Sequence, residues 1–304
     1  ISCNQHSVWV LVLGMSQILL IMFVIAVIIS GLSASWISKK IVDPLNKIDL
    51  ENPEESDVYD ELKPFTKRIA EENFEKSQRE ELRQQFTANV SHELKTPLTS
   101  ISGFAEILKS GGTDETTTKD FATSIYDESQ RMITLVNDII KLSKLDEKSI
   151  SLEKEAISLR DLCRDVIEVV SANARAKNVT INLSGESGLI NGVQPVIYEM
   201  IYNLVDNGIK YNIEGGKVEI NIQNMMESKC VILTIKDTGI GIPASEKERI
   251  FERFYRIDKS RSKQNGGTGL GLSIVKHAAK YHGASILLNS EVGKGSTFTV
   301  IFPV

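Results

Sequence analysis

The sequence predicts a multi-domain chain: a transmembrane helix, an all-α helical hairpin forming a dimeric four-helix bundle, then an α+β sandwich. Three observations predict it. Residues 1–38 contain no Asp, Glu, Lys or Arg, and Val8–Ile29 is almost continuously apolar. Two long, charged, amphipathic stretches follow, separated by GGTDE at 111–115. Beyond about residue 150 the pattern changes to short alternating segments separated by two helical ones.

The apolar run is long enough to span. Twenty-two helical residues rise about 33 Å, against a hydrocarbon core of roughly 30 Å. A signal peptide fits less well, because no basic region leads the run and the run is too long. Lys39 and Lys40 follow at once, and the positive-inside rule then puts the rest of the chain in the cytoplasm. The first residue is Ile1 rather than Met, so residues 1–7 are expected to be the remnant of an extracytoplasmic region.

Composition narrows the rest. The 304 residues carry a net charge of −5, which gives no reason to expect nucleic-acid binding. Cys3, Cys163 and Cys230 lie far apart and suggest neither a disulfide framework nor a zinc site.

Residues 39–80, with Pro44, Pro53 and the acidic run ENPEESD, read as a juxtamembrane and signalling linker. Residues 81–148 are expected to form the hairpin, with helical texture from about Tyr59 to Ser110. Thr113 or Asp114 is placed to cap its second helix. That helix carries Ile125, Met132 and Ile139 at heptad spacing, flanked by Phe121, Leu135 and Leu142. A lone hairpin cannot bury such a stripe, so dimerisation into four helices is expected.

Residues 149–304 read as the sandwich. Ser158 and Asp161 form an S-x-x-D signature opening a helix to about Lys177. Strands are expected at 179–183, 218–222, 231–235, 285–289 and 297–302, and helices near 194–211 and 271–282. The order is not a repeating βαβ, so helices should cover one face of a mixed sheet.

Three segments carry chemistry. In YNLVDNGIKYN, Asn203, Asn207 and Lys210 share one helix face, suited to a metal–phosphate group; a solvated polar face is the bland alternative. In DTGIGIP, Asp237 ends a strand, able to accept from an exocyclic amine, and Gly239 and Gly241 allow the backbone to approach a flat ligand. Gly267, Gly269 and Gly271 precede a helix start, a natural anion site. Between the last two, Phe251, Phe254 and Tyr255 alternate with Arg253, Arg256, Lys259, Arg261 and Lys263 as a basic flap. Together these segments imply an ATP pocket. P-loop and protein-kinase signatures are absent.

A fourth segment, FTANVSHELKTPLTS at 86–100, sets His92, Glu93, Thr96 and Pro97 on one helix. With it the chain from about residue 80 to 304 resembles the sensor histidine kinases of two-component systems. The pattern is similar to their phosphoacceptor box, a HisKA-type dimerisation domain, and to the N, G and F boxes of their Bergerat-fold catalytic domain. The resemblance implies that His92 attacks the γ-phosphate of ATP and that Glu93 takes or holds the imidazole proton. Thr96 would orient a water for dephosphorylating a partner, and Pro97 would bend the helix. It further implies Asn207 as the Mg²⁺ ligand with Asn203 in support, Lys210 on phosphate, and Tyr211 beside adenine. Asp237 would read the adenine amine, and Arg256 would reach the γ-phosphate. The implied partners are a response regulator receiver domain, a second copy of the chain and the membrane, with no nucleic acid.

Asn203 separates this chain from the ATPases of the same fold, where a carboxylate activates water; an amide is no base at neutral pH. His6, His277 and His282 read as structural histidines. Gly208 stands where the family often has Ala, and 41–45 with 60–62 is HAMP-like, with its two halves closer together than usual. The family's second transmembrane helix and extracellular sensor are not in this chain. The alternatives are an ATP-binding signalling phosphatase or scaffold, and a Bergerat-fold ATPase.

Overall fold

The computed structural model describes residues 3–42, 63–146, 153–257 and 267–304. Residues 43–62 of the juxtamembrane linker, which hold most of the HAMP-like pieces, and the flap residues Lys259, Arg261 and Lys263 lie outside them. The chain divides into two units, 1–87 and 88–304.

In the first unit, α1 (Cys3–Ile37) continues into a π-helical turn, Ser38–Val42. Within it Gly14–Lys40 is long and apolar enough to cross a membrane, extending the expected span toward its C-terminal end. Lys40 Nζ sits 4.9 Å from the Trp36 ring, the pairing of aromatic body and cationic tip suited to a membrane–water boundary. A second helix, α2 (Lys63–Ser110), begins in this unit. Its exposed start carries i,i+4 pairs such as Arg79–Glu75 at 2.9 Å, which support a helix without a core.

The second unit takes α2 from Ala88 onward. Gly111 and Gly112 turn the chain at φ +75° and +92°, and α3 (Glu115–Asp146) returns. Of the two candidate caps it is Asp114 that serves: Oδ1 accepts from the Thr117 amide at 2.6 Å, which holds its carboxyl below the usual range. Phe104 and Phe121 stack across the hairpin with centroids 5.2 Å apart. Leu135 and Leu142 are buried and the heptad residues Ile125, Met132 and Ile139 are half-buried within one chain, so the stripe left exposed is instead that of their neighbours Tyr126, Ile133 and Ile140, also spaced by seven.

The α+β part runs β1 (Glu155–Ser158), α4 (Leu159–Ala176), β2 (Thr180–Gly185), β3 (Leu189–Gly192), α5 (Gln194–Lys210), β4 (Lys217–Met225), β5 (Cys230–Asp237), α6 (Gly271–Tyr281), β6 (Ser285–Glu291) and β7 (Gly295–Pro303). Five strands form a mixed sheet in the order β2-β4-β5-β7-β6, with β2 parallel to β4 and the other pairs antiparallel. Period-two alternation sends Val218, Ile220 and Ile222 of β4 to one face, joined by Leu233 and Ile235 of β5 and Val300 and Phe302 of β7. The helices cover that face. Leu162, Val166 and Val170 of α4, Ile197, Ile201 and Leu204 of α5, and Val275, Ala278 and Ala279 of α6 recur at three- and four-residue steps and are buried there. Each large side chain so buried contributes about 1.5–3 kcal/mol. Ser158 caps α4, its hydroxyl accepting from the Asp161 amide, as S-x-x-D predicts.

The sequence reading missed one feature. β1 and β3 pair as a separate two-stranded antiparallel sheet. Each has four residues, too few for alternation to register.

Candidate functional site

Helix α5 presents its polar face to a cavity of about 590 Å³, bounded also by the end of β5, the loop into α6, and α3 of the hairpin. Asn203, Asn207, Lys210, Tyr211, Asp237, Gly241, Arg256, Gly267, Gly269 and Gly271 all line it. Gly239 does not, and neither do His92, Glu93 and Thr96.

Asp237 sits at the end of β5, where burial raises its carboxyl above the usual range while bonds to the Gly239 and Ser296 amides oppose the shift. Those amides, at 2.8 and 3.2 Å, both donate to Oδ1. Oδ2 has no partner among the described residues and is left to accept from a ligand in the cavity.

Asn203 and Asn207 differ in the same way. Asn203 Nδ2 donates to the Glu199 carbonyl at 2.8 Å, turning Oδ1 toward α6, where a Cβ on Gly271 would lie 2.6 Å from it. The Asn207 amide makes no side-chain hydrogen bond to a described residue, so its oxygen is available to a cation. No cluster of three His, Cys, Asp or Glu able to hold a metal occurs among the described residues. One amide oxygen fits Mg²⁺, which keeps several waters and takes phosphate oxygens for its other ligands. Lys210 Nζ pairs with Asp206 at 2.7 Å, and this buried carboxylate keeps the ammonium against the cavity wall.

The glycines of DTGIG pack closely against the chain itself. The close approach they permit is to the protein's own backbone: a Cβ on Gly239 would lie 2.3 Å from the Tyr211 carbonyl oxygen, and one on Gly241, at φ +70°, 2.0 Å from that of Glu291. They hold the loop shut on α5 and β6, and thereby aim Asp237. At Gly208 a Cβ would stand 3.3 Å from Val218, a tight fit for the Ala common in the family.

Helix α6 starts at Gly271 with Leu270 at its cap position and no side chain capping it, so its first amides face the cavity side uncapped. The start of the flap is tied down. Phe254 N donates to the Gly269 carbonyl at 2.9 Å, the Tyr255 hydroxyl donates to Glu246, and Arg249 covers the Tyr255 ring at 4.4 Å. Arg256 follows, half-buried, with Nη2 buried and unpartnered. Burial lowers its basicity, Glu93 opposes that shift and Arg131 adds to it, so the hairpin's charges reach it.

Thr134 and Asp138 of α3 also line the cavity, an unforeseen contribution from the hairpin. Two bonds secure it: Thr268 Oγ1 to Asp138 at 2.7 Å, and Lys141 to Glu199 at 2.7 Å. Nothing in the local pattern of α3 marks these residues, since their partners are distant in sequence.

On α2, His92 is exposed and Glu93 half-buried. The helix runs through Pro97 without a break, although Pro97 cannot donate to the Glu93 carbonyl. Thr96 Oγ1 donates to the His92 carbonyl at 3.2 Å.

The comparisons with known proteins agree with this architecture. The His Kinase A (phospho-acceptor) domain model matches residues 82–148. The Histidine kinase-, DNA gyrase B-, and HSP90-like ATPase model matches 192–304. The chain belongs to the histidine kinase family. It is 37% identical to sensor histidine kinase WalK of Bacillus subtilis over 75% of this chain and 38% of that protein, so it spans well under half of that relative. Histidine kinase ThkA, in a crystal structure with response regulator protein TrrA, superposes with TM-score 0.61 at 27% identity, covering 77% of this chain and 65% of that one. Full-length ShkA in complex with AMPPNP gives TM-score 0.54 at 25% identity over 72% of this chain and 45% of that one. Residues 153–191, ahead of the ATPase match, pack in the same core as the rest of the sandwich.

Proposed function

We propose that this histidine kinase chain uses Mg·ATP to phosphorylate His92 and passes the phosphoryl group to an aspartate of a response regulator. The carrying observation is the cavity itself: Asp237 with one open oxygen, Asn207 with a free amide, uncapped amides at α6, and Arg256 in the lining. Asp237 would take the adenine amine, Asn207 the cation, and Lys210 with the α6 amides the phosphates. A nitrogen of His92 would form a bond to the γ-phosphorus as the bond to ADP breaks. Glu93 would hold or accept the proton of the other ring nitrogen, and Arg256 would stabilise charge on the transferring group. Thr96 would serve the reverse reaction on the regulator.

His92 lies outside the cavity lining, so transfer requires the catalytic part to move on the hairpin. The exposed Tyr126, Ile133 and Ile140 stripe supports a four-helix dimer, and the apolar span with Lys39 and Lys40 supports one pass within this chain with the kinase part cytoplasmic.

The test is incubation of the full chain, in lipid nanodiscs, with γ-labelled ATP and Mg²⁺, beside His92→Gln. Acid-labile, alkali-stable label absent from the variant is expected. ATP binding without label on His92 would put the phosphatase or scaffold reading in its place.

A further inference from the structure

Three charged side chains meet on the hairpin without a hydrogen bond among them, and a fourth, in the cavity lining, feels their charge. Arg131 of α3 sits 3.9 Å from Glu93 of α2 and 3.8 Å from Glu128 of its own helix. Arg256 feels both Glu93 and Arg131. The Arg131 side chain is 18% exposed, Glu93 32% and Glu128 28%. Glu128 Oε2 and Arg256 Nη2 are buried without a hydrogen-bond partner.

A cluster serving stability alone would close these gaps. Partly desolvated charges recover their burial cost only through well-formed, hydrogen-bonded pairs, and orphaned buried polar atoms are rare for the same reason. Here the Arg131 guanidinium lies between two carboxylates, one of them next in sequence to His92, while Arg256 acts on the same Glu93 charge from its place in the cavity lining. One guanidinium, Arg256, lines the nucleotide cavity; the other, Arg131, stands on a helix fixed by its own packing.

We infer that Arg131 is a positioning residue for phosphoryl transfer: it anchors the Glu93 carboxylate beside His92. The inference rests on the autokinase reading above. Arg131 reaches no cavity wall and touches no nucleotide site, so it acts through Glu93. Glu128 holds the guanidinium from its other side, three residues back on α3, which fixes where Arg131 can present its donors. Arg256 is then free of Glu93 when the phosphates arrive, because Arg131 supplies the countercharge in its place.

The test compares wild type, Arg131→Gln, Arg131→Lys, Glu93→Gln and the Arg131→Gln/Glu93→Gln double variant as full chains in nanodiscs. The labelling rate of His92 is measured against Mg·ATP concentration, with thermal unfolding and nucleotide affinity as controls. Arg131→Gln should lower kcat at least about tenfold with KM within about twofold, since an acid–base group that loses its orientation loses its advantage. Arg131→Lys should recover part of the rate, and Arg131→Gln should cost nothing further once Glu93 is Gln. Equal losses in the two Glu93 backgrounds, no rescue by Lys, or a rise in KM matching the fall in kcat/KM would each overturn the assignment. If Arg131→Gln labels like wild type, the inference alone falls; if wild type itself does not label, the autokinase reading falls and takes it along.

Discussion

Thr268, in the glycine-rich loop, and Asp138, on the second hairpin helix, are joined by a 2.7 Å hydrogen bond across 130 residues of sequence. Thr268 is buried and Asp138 half-buried, and burial raises the Asp138 carboxyl above the usual range. The contact fastens the loop at the start of α6 to the hairpin.

That gives it a predictable sign. The docked arrangement binds the Asp138 proton more tightly than a released one, so acidification toward the raised value favours docking. Asp138→Asn keeps an acceptor for Thr268 without burying charge and should tighten docking. Asp138→Ala should loosen it by roughly 0.5–1.5 kcal/mol, the worth of one ordinary hydrogen bond. Hydrogen exchange of the amides at 267–271 reads both: slower in Asn, faster in Ala. The opposite order would mean the bond does not hold the loop.

Asp237→Asn separates folding from binding. Its Oδ1 can still accept from Gly239 and Ser296, and the cost of burying a charge disappears, so the melting temperature should hold or rise. The second atom becomes an NH₂ facing a ligand amine, donor against donor. ATP affinity should fall at least about a hundredfold, the two to three kcal/mol of a lost charged hydrogen bond plus a repulsion. Calorimetric titration beside thermal unfolding distinguishes this from simple misfolding.

The exposed stripe on α3 gives a third prediction. Ile133→Asp with Ile140→Asp places charge on two residues that are 53% and 47% exposed in one chain. Helicity should be kept, because neither packs inside the hairpin, and sedimentation should change from dimer to monomer. A dimer that survives both charges would move the interface to another face.

His282 supplies the fourth. Its Nε2 accepts from the Val193 amide at 2.9 Å and its Nδ1 lies 2.8 Å from the Ala278 carbonyl, an arrangement only the neutral ring satisfies. Burial lowers its basicity below the usual value of 6.5. The unfolded chain therefore takes up a proton that the folded chain refuses, and stability falls as pH drops below about 6.5. Denaturant midpoints at pH 7.5 and 5.5 should differ more in wild type than in His282→Gln.

What could be read from the sequence is what short-range physics writes there. The α4 cap at Ser158, the β4 and β5 alternation and the polar face of α5 each follow from spacing alone. The sheet of β1 and β3 did not, because four residues give no period. The partners of Gly239 and Gly241 were also hidden: a glycine announces a close approach but not to what, and here it is the Tyr211 and Glu291 carbonyls. Asp138 with Thr268, and Arg131 with Glu93, are pairings of tertiary structure. Their residue types occur on any charged helix, and only folding brings them together.

One oxygen of Asp237 is spent on two backbone amides, and the carboxylate cannot rotate without breaking both. When ionised, the oxygen left over offers lone pairs and nothing else. A purine edge bearing an amine meets it as donor to acceptor. One bearing a carbonyl at the same place sets lone pairs against lone pairs, with no hydroxyl that could turn to relieve them. If the nucleotide sits as proposed, choice between the two kinds of base would come from an atom held rigid, and a pocket of the same shape without that tether would accept either.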